Sequence, residues 1–180
     1  MKEKDYYGAI QTWFLEQKKC APIGVNYKMR NLELLTADVI AMKENLWYVC
    51  ELKNYPYPVG SQGWGSIGQA LALRREADFV YVGCVASDGD DSENNSWRRV
   101  TAARTVQKLL SYLNISFPRD FEEYCNALKA VFQCFFGDLG IGLLVVRESY
   151  SGNEQQSNFR VIEVVGAKQT TRALSSSACS

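Results

Sequence analysis

The chain contains no histidine among its 180 residues. This absence excludes a Ser-His-Asp triad, a Cys-His catalytic pair and a zinc site with histidine ligands. Acid–base chemistry in this protein must therefore use carboxylates, lysine, tyrosine, cysteine or water activated by a metal.

The cysteines form no Cys-x-x-Cys pair. Several of the six lie inside apolar runs, which is typical of small buried hydrophobic residues and not of a disulfide framework or a zinc site. They are Cys20, Cys50, Cys84, Cys125, Cys134 and Cys179. We therefore expect a reducing compartment and a cytoplasmic protein.

Long apolar runs and an excess of one charge are also missing. No run approaches the roughly 18–20 apolar residues of a membrane span, so no contact with a membrane is expected. The polar N-terminus is unlike the core of a signal peptide. Twenty basic and twenty acidic residues give zero formal net charge, so the whole molecule lacks a strong field for attracting nucleic acid, although a local basic strip is compatible with this balance.

Apolar spacing predicts a mixture of helix and strand in the first half of the chain. Apolar residues recur at helical intervals through residues 3–18. Strands are predicted over Val39–Met42 and Leu46–Leu52, with a tight turn between them. The other elements, in order, are weaker strands at 23–28 and 31–35, a Pro/Gly-rich loop at 54–65, a helix from about Ser66 to Ala77, and a buried strand at Phe79–Ala86. The strand–helix–strand order implies a parallel pair.

The second half predicts two helices followed by two strands. The helices cover residues 97–114 and 119–136, and the strands cover residues 141–147 and 158–165. With 47% hydrophobic residues, the chain is expected to form one domain over residues 1–166. Its parts are a core at 3–86, a helical segment at 97–136, terminal strands at 141–165, and a tail at 167–180 that is expected to fray.

Three charged residues stand at the ends of the two strongest strands. Asp38 opens one apolar run, and Glu51 and Lys53 lie two apart near the end of the next. Strand side chains alternate between faces, so Glu51 and Lys53 share a face, roughly 6–7 Å apart. If the runs pair as a hairpin, Asp38 comes to the same end. Two acids and one amine there could hold a hard divalent cation and position a water.

This constellation resembles the PD-(D/E)XK nuclease superfamily, whose core motif is an Asp on one strand and Glu-x-Lys on the next. The resemblance covers about the first half of the chain. An initial helix with an acid corresponds to Glu3, and a later helix with a glutamine corresponds to Gln69, followed by the buried strand from Ala77. The proline usually found before the Asp is replaced by Ala37.

The resemblance implies an α/β, restriction-endonuclease-like fold: a mixed central β-sheet flanked by helices, here with an additional C-terminal helical segment and a β-hairpin. It implies a Mg²⁺- or Mn²⁺-dependent nuclease that hydrolyses phosphodiester bonds in nucleic acid, DNA in particular. Asp38, Glu51 and the Leu52 carbonyl would hold the metal. Lys53 would orient the water or offset charge on the phosphate, and Gln69 and Glu3 would complete the catalytic set. Many members dimerise, so a homodimer is compatible with the resemblance.

Two other interpretations stay open. The chain could be a catalytically weak or inactive nuclease-fold module that binds nucleic acid or a protein partner, or a structural domain with a salt-bridge cluster. Glu3 could be an ordinary first-turn acid, with Asp5 close by. Gln69 could be a surface amide, although its small neighbours Gly68 and Ala70 would permit close approach to the sheet.

Local basic and aromatic residues give further candidates for contacts with nucleic acid. Aromatic residues in the 54–65 loop could stack on bases, or could simply anchor the loop. Three groups of basic residues could contact phosphates, or could be solvated faces. These groups are Lys18-Lys19, Arg74-Arg75, and Arg98-Arg99 with Arg104.

Overall fold

The computed structural model describes residues 3–28, 36–53, 61–88, 104–150 and 157–170. An N-terminal helical segment combines a 3-10 turn (Glu3–Tyr6), helix α1 (Tyr7–Trp13) and a π-helical turn (Phe14–Lys18). The other helices are α2 (Ser61–Leu73), α3 (Arg104–Tyr112) and α4 (Phe121–Leu139). The strands are β1 (Ala21–Lys28), β2 (Thr36–Lys43), β3 (Leu46–Lys53), β4 (Phe79–Asp88), β5 (Gly142–Tyr150) and β6 (Ser157–Val165).

The six strands form one mixed sheet in the order β1-β2-β3-β4-β5-β6. Its central pairs, β3 with β4 and β4 with β5, are parallel, whereas the three outer pairs are antiparallel. The predicted parallel pair across α2 is thereby confirmed. The terminal hairpin of β5 and β6 is part of the central sheet, because β5 pairs with β4 along its length.

The β2–β3 hairpin forms at the predicted turn. Lys43 pairs with Leu46, and the two residues between them, Glu44 and Asn45, have φ of 50° and 66°. Positive φ at both central residues is the conformation that matches the twist of a two-residue hairpin. This turn fixes the register that carries Val39 opposite Cys50 at the far end of the hairpin.

Helices cover both faces of the sheet, and each face has its own apolar core. The first core joins the sheet to α2, α3 and α4, and includes Leu73, Val82 and Phe136. The second joins the opposite face to α1 and its flanking turns, and includes Phe14 and Leu144. Together they make an α/β fold in which a six-stranded mixed sheet is flanked by helices. No helix within the described ranges is long and apolar enough to cross a membrane.

Helix α2 begins earlier than the sequence predicted. It starts at Ser61, so the last five residues of the predicted 54–65 loop are helical, and the predicted start at Ser66 was wrong. Glycine in a helix costs only about 1 kcal/mol, and the packing of α2 on β3 and β4 outweighs it. Residues 54–60 lie outside the described residues, as do 29–35, 89–103 and 171–180.

Helix α4 has capping residues at both ends. The side chain of Asp120 accepts a hydrogen bond from the backbone N–H of Glu123 at 2.8 Å, which satisfies one of the free donors of the first turn. Gly140 ends the helix with φ 65°, the left-handed conformation that glycine adopts without strain. The chain then enters β5, so the N-terminus of α4 lies near the carboxyl end of that strand.

Candidate functional site

The predicted charged residues lie where β2 begins and β3 ends. Because β2 and β3 are antiparallel and β3, β4 and β5 are parallel, the start of β2 lies at the carboxyl ends of the parallel strands. Ligands bind preferentially at this end in open α/β sheets. The β2–β3 ladder ends at the pair of Val39 and Cys50. Asp38 immediately precedes Val39, so extending the register by one residue sets Asp38 opposite Glu51.

Asp38 is held by two donors from different elements. Its Oδ2 accepts a hydrogen bond from the backbone N–H of Leu52 at 2.7 Å, and its Oδ1 accepts one from the Tyr7 hydroxyl at 2.9 Å. The side chain is only 8% exposed. Asp38 is therefore fixed on the Glu51–Leu52 peptide, within the Glu-x-Lys segment of the next strand.

Glu51 and Lys53 form an ion pair on the α2 face of β3. The Lys53 Nζ donates to Glu51 Oε1 at 2.7 Å. The glutamate side chain is 2% exposed and the lysine side chain is 26% exposed, so the carboxylate is buried and the ammonium reaches solvent. Burying a carboxylate costs free energy unless a positive charge compensates it. In the protein without a bound metal, Lys53 supplies that charge.

The thiol of Cys50 lies within the field of all three charged groups. Burial raises the pKa of Cys50 well above its ordinary value, and the negative charges of Asp38 and Glu51 raise it further. The positive charge of Lys53 opposes them. The charges of both carboxylates thus act on this buried thiol.

The other predicted site residues lie on β3, on α2 and in the N-terminal 3-10 turn. Leu52 is fully buried between the two charged residues of the motif, and its N–H is the group that binds Asp38. Gln69 is half-buried on α2, which packs on β3 and β4. Glu3 begins the 3-10 turn, and its side chain lies outside the described residues.

Of the two small residues beside Gln69, one lies against the sheet and the other, contrary to the prediction, faces solvent. Ala70 is fully buried and permits the close approach of α2 to the sheet. Gly68 is exposed, and a Cβ added there would meet no atom within 4 Å. Gly68 therefore lies on the solvent side of α2 and contributes nothing to that approach.

The predicted basic groups within the described residues lie away from Asp38. Arg74 and Arg75 follow the end of α2, toward the amino ends of the parallel strands, and Arg74 Nε donates to Thr170 Oγ1 at 3.3 Å. Lys18 pairs with Glu163 of β6 at 2.9 Å. Arg98 and Arg99 lie outside the described residues, as does the side chain of Arg104. None of the described members surrounds the site.

Sequence reasoning missed another buried carboxylate, Glu148. It is 2% exposed near the end of β5, and its Oε2 accepts from the Tyr6 hydroxyl at 3.0 Å. Its Oε1 accepts no hydrogen bond from the described residues. The signal was available: this glutamate lies two residues after a strongly apolar run, Leu143–Val146. Tyr6 and Tyr7 belong to the apolar pattern of residues 3–18, yet their hydroxyls donate to the carboxylates of Glu148 on β5 and Asp38 on β2.

The chemistry available at this end of the sheet comes from hard oxygen donors. Among the residues that the structure describes, no group of three or more cysteine, aspartate or glutamate side chains could hold a metal by itself. Asp38 binds the Leu52 N–H, and Glu51, the preceding residue of the same strand, pairs with the Lys53 ammonium. Mg²⁺ is commonly bound by one or two protein carboxylates, with substrate phosphates and water completing its shell.

Comparisons with known proteins assign this chain to no family. No family model matches the chain, and no curated protein matches it. A solved structure of SfsA from Pyrococcus furiosus in complex with Ca²⁺ is similar over 92% of this chain, with 12% sequence identity and a TM-score of 0.44. The chain spans 62% of the length of that protein. A likeness this distant says nothing about activity or ligands.

Proposed function

We propose that this protein is a metal-dependent nuclease of the restriction-endonuclease-like, PD-(D/E)XK type, which hydrolyses phosphodiester bonds in nucleic acid, with DNA as the first substrate to test. The observation that carries the proposal is the hydrogen bond from the Leu52 N–H to Asp38. It ties the carboxylate of one strand to the centre of the Glu-x-Lys motif of the next. A chance Glu-x-Lys on an exposed strand would have neither this contact nor a buried glutamate.

The donor set fits a hard divalent cation such as Mg²⁺ or Mn²⁺. Each Asp38 oxygen accepts one hydrogen bond, and a carboxylate oxygen has a second lone pair available for a metal. Asp38 and Glu51 would hold the cation, with the Leu52 carbonyl as the third candidate ligand. When bound, such a cation offsets the negative charge of a phosphate and lowers the pKa of water.

Other residues of the chain would orient the metal ligands and bind the phosphate. Tyr7 and the Leu52 N–H fix the orientation of Asp38, so the carboxylate does not have to reorganise when a substrate arrives. Lys53 carries a solvent-accessible ammonium at the edge of the site and offsets charge that grows on the phosphate in the transition state. Gln69 and Glu3 are the candidates for contacts from α2 and from the N-terminal turn.

The decisive experiment is a cleavage assay on single-stranded, duplex and branched DNA and on RNA, with Mg²⁺, with Mn²⁺ and with chelator. Cleavage should require a metal and should be lost in Asp38→Asn and in Lys53→Met. Lys43→Met is the matched control, because Lys43 lies at the turn end of the same hairpin and should leave cleavage unchanged.

The results also separate the alternatives. Cleavage that survives both site substitutions would refute the assignment of these residues. Metal-independent binding of nucleic acid without cleavage by the wild type would indicate the catalytically inactive module. If the protein neither binds nor cleaves nucleic acid, the ion pair of Glu51 and Lys53 is a structural cluster.

A further inference from the structure

A groove of about 500 Å³ lies between α4 and the edge strand β6. Three basic side chains line it: Arg147 on β5, Arg160 on β6 and Lys129 on α4. None of them belongs to the basic groups that were apparent in the sequence, because they are far apart in the chain.

Arg147 and Arg160 are direct partners across the β5–β6 ladder. Opposite residues of an antiparallel pair share a face, with Cβ atoms about 4.5–5.5 Å apart, and like charges at that distance destabilise the sheet. An anion between the two guanidinium groups removes this repulsion, and the planar guanidinium is suited to bidentate binding of phosphate oxygens.

Arg147 is held in place by aromatic stacking. Its guanidinium carbon lies 4.6 Å from the centre of the Phe121 ring, at the first residue of α4. Stacking of this kind fixes the plane of the guanidinium. Arg160 is exposed. The pair therefore combines an oriented guanidinium, that of Arg147, with a solvent-accessible one that can turn toward a ligand.

The acids around the groove do not cancel its positive charge. Glu122 lines the groove and offsets part of it. Glu163 also borders the groove, but its carboxylate accepts from Lys18 at 2.9 Å and from the Tyr81 hydroxyl at 3.1 Å, both of which belong to the opposite face of the sheet. Three basic and two acidic side chains therefore line the groove, and one of the acids is engaged on the opposite face.

The thiol of Cys125 lies in the same groove and responds to these charges. Burial raises the pKa of Cys125 to about 12, while Arg147 and Arg160 pull it down and Glu122 pushes it up. Both guanidinium groups thus act at the floor of the groove.

The arginine pair and Lys53 share one face and one end of the sheet. Lys53 is in register with Cys84 of β4 and Val145 of β5, and Arg147 is two residues farther toward the carboxyl end. Two strand spacings and two residues place Arg147 roughly 12 Å from Lys53 between Cα atoms. This corresponds to about three to four nucleotides of a stacked strand.

We propose that Arg147, Arg160 and Lys129 bind a backbone phosphate of the nucleic-acid substrate, a few nucleotides from the bond that is cut. This inference rests on the proposed function, because it takes nucleic acid as the substrate. The contact is to phosphate, so it positions the strand and carries no sequence preference.

The test measures binding without cleavage. A fluorescein-labelled duplex and its single strands are titrated by fluorescence anisotropy in chelator, from 50 to 200 mM salt, with the wild type, Arg160→Glu and Arg160→Lys. Arg75→Glu is the matched control, since Arg75 is also exposed but lies toward the amino ends of the parallel strands. Arg160 packs into no core, so the fold should tolerate its replacement, and far-UV circular dichroism checks this.

Arg160→Glu should weaken binding of all sequences alike and should reduce the slope of log affinity against log salt by about 1. Between 50 and 200 mM salt the variant then loses about fourfold less affinity than the wild type. Arg160→Lys and Arg75→Glu should keep the wild-type slope.

Two results would overturn the inference, and they differ in what they say about the nuclease. A wild type that binds and cuts, with Arg160→Glu equal to Arg75→Glu, refutes the phosphate contact and leaves the proposed function intact. Binding of inorganic phosphate by calorimetry, dependent on Arg160 but without any binding of nucleic acid, identifies a pocket for a free anion and removes both proposals.

Discussion

Replacement of Lys53 by methionine distinguishes a metal site from a structural ion pair. Lys53 compensates the charge of Glu51, a carboxylate that is 2% exposed. Removing one partner of a buried pair typically costs about 3–5 kcal/mol. Because the Lys53 side chain is 26% exposed and solvent screens part of the interaction, we expect about 1–3 kcal/mol for Lys53→Met in the absence of divalent metal.

A divalent cation should reverse this loss. The cation and the ammonium compete for the same carboxylate, so removal of the ammonium favours metal binding, and by linkage the metal stabilises the variant more than the wild type. At a concentration 100 times its Kd, a ligand that binds only the folded state adds about 2.7 kcal/mol. For a domain of this length that corresponds to a rise in Tm of roughly 5–10 °C.

The assay is thermal unfolding followed by circular dichroism, with and without Mg²⁺ or Mn²⁺. The wild type should gain stability, Lys53→Met should gain at least as much, and Glu51→Gln and Asp38→Asn should gain little. Sodium chloride at the same ionic strength serves as the control for screening by salt. Equal Tm shifts in the wild type and in both carboxylate variants would refute the metal site, because the ion would then be bound elsewhere.

The hairpin that builds the site could be predicted because its signals are local. Alternation in two apolar runs and the short polar turn between them set the register, and the register alone carries Asp38 to the end of the Glu51 strand. The start of α2 could not be predicted in this way. Glycines at 63 and 65 argued for a loop, whereas burial of the far side of the helix against β3 and β4 outweighs the small cost of each glycine.

The missed residues depend on contacts between distant elements. Tyr6 and Tyr7 are adjacent in the chain, but their hydroxyls reach carboxylates on strands β5 and β2, which no spacing in the sequence reveals. The pair of Arg147 and Arg160 is likewise a product of strand register. A search for neighbouring basic residues finds Arg74-Arg75, which lies at the other end of the sheet.

Two further predictions concern stability. Tyr6→Phe removes the donor to buried Glu148, so chemical denaturation should show a loss of about 1–3 kcal/mol, and adding Glu148→Gln should recover part of it; full additivity of the two losses would contradict the contact. Alkaline unfolding should report the buried thiols, because burial raises the pKa of Cys50, Cys84 and Cys125 above their ordinary value of 9.0. The folded state then keeps protons that the unfolded state releases, so stability is full below pH 9 and falls as the pH rises through and beyond it. One pH unit above 9, each thiol favours unfolding by about 1.4 kcal/mol, about 4 kcal/mol for the three. Urea titrations at pH 7 and pH 10 test this. Between these pH values the free energy of unfolding of Cys125→Ser should fall by about 1.4 kcal/mol less than that of the wild type, since serine does not ionise in this range. An equal fall in both proteins would mean that the Cys125 thiol ionises as readily in the folded state as in the unfolded one.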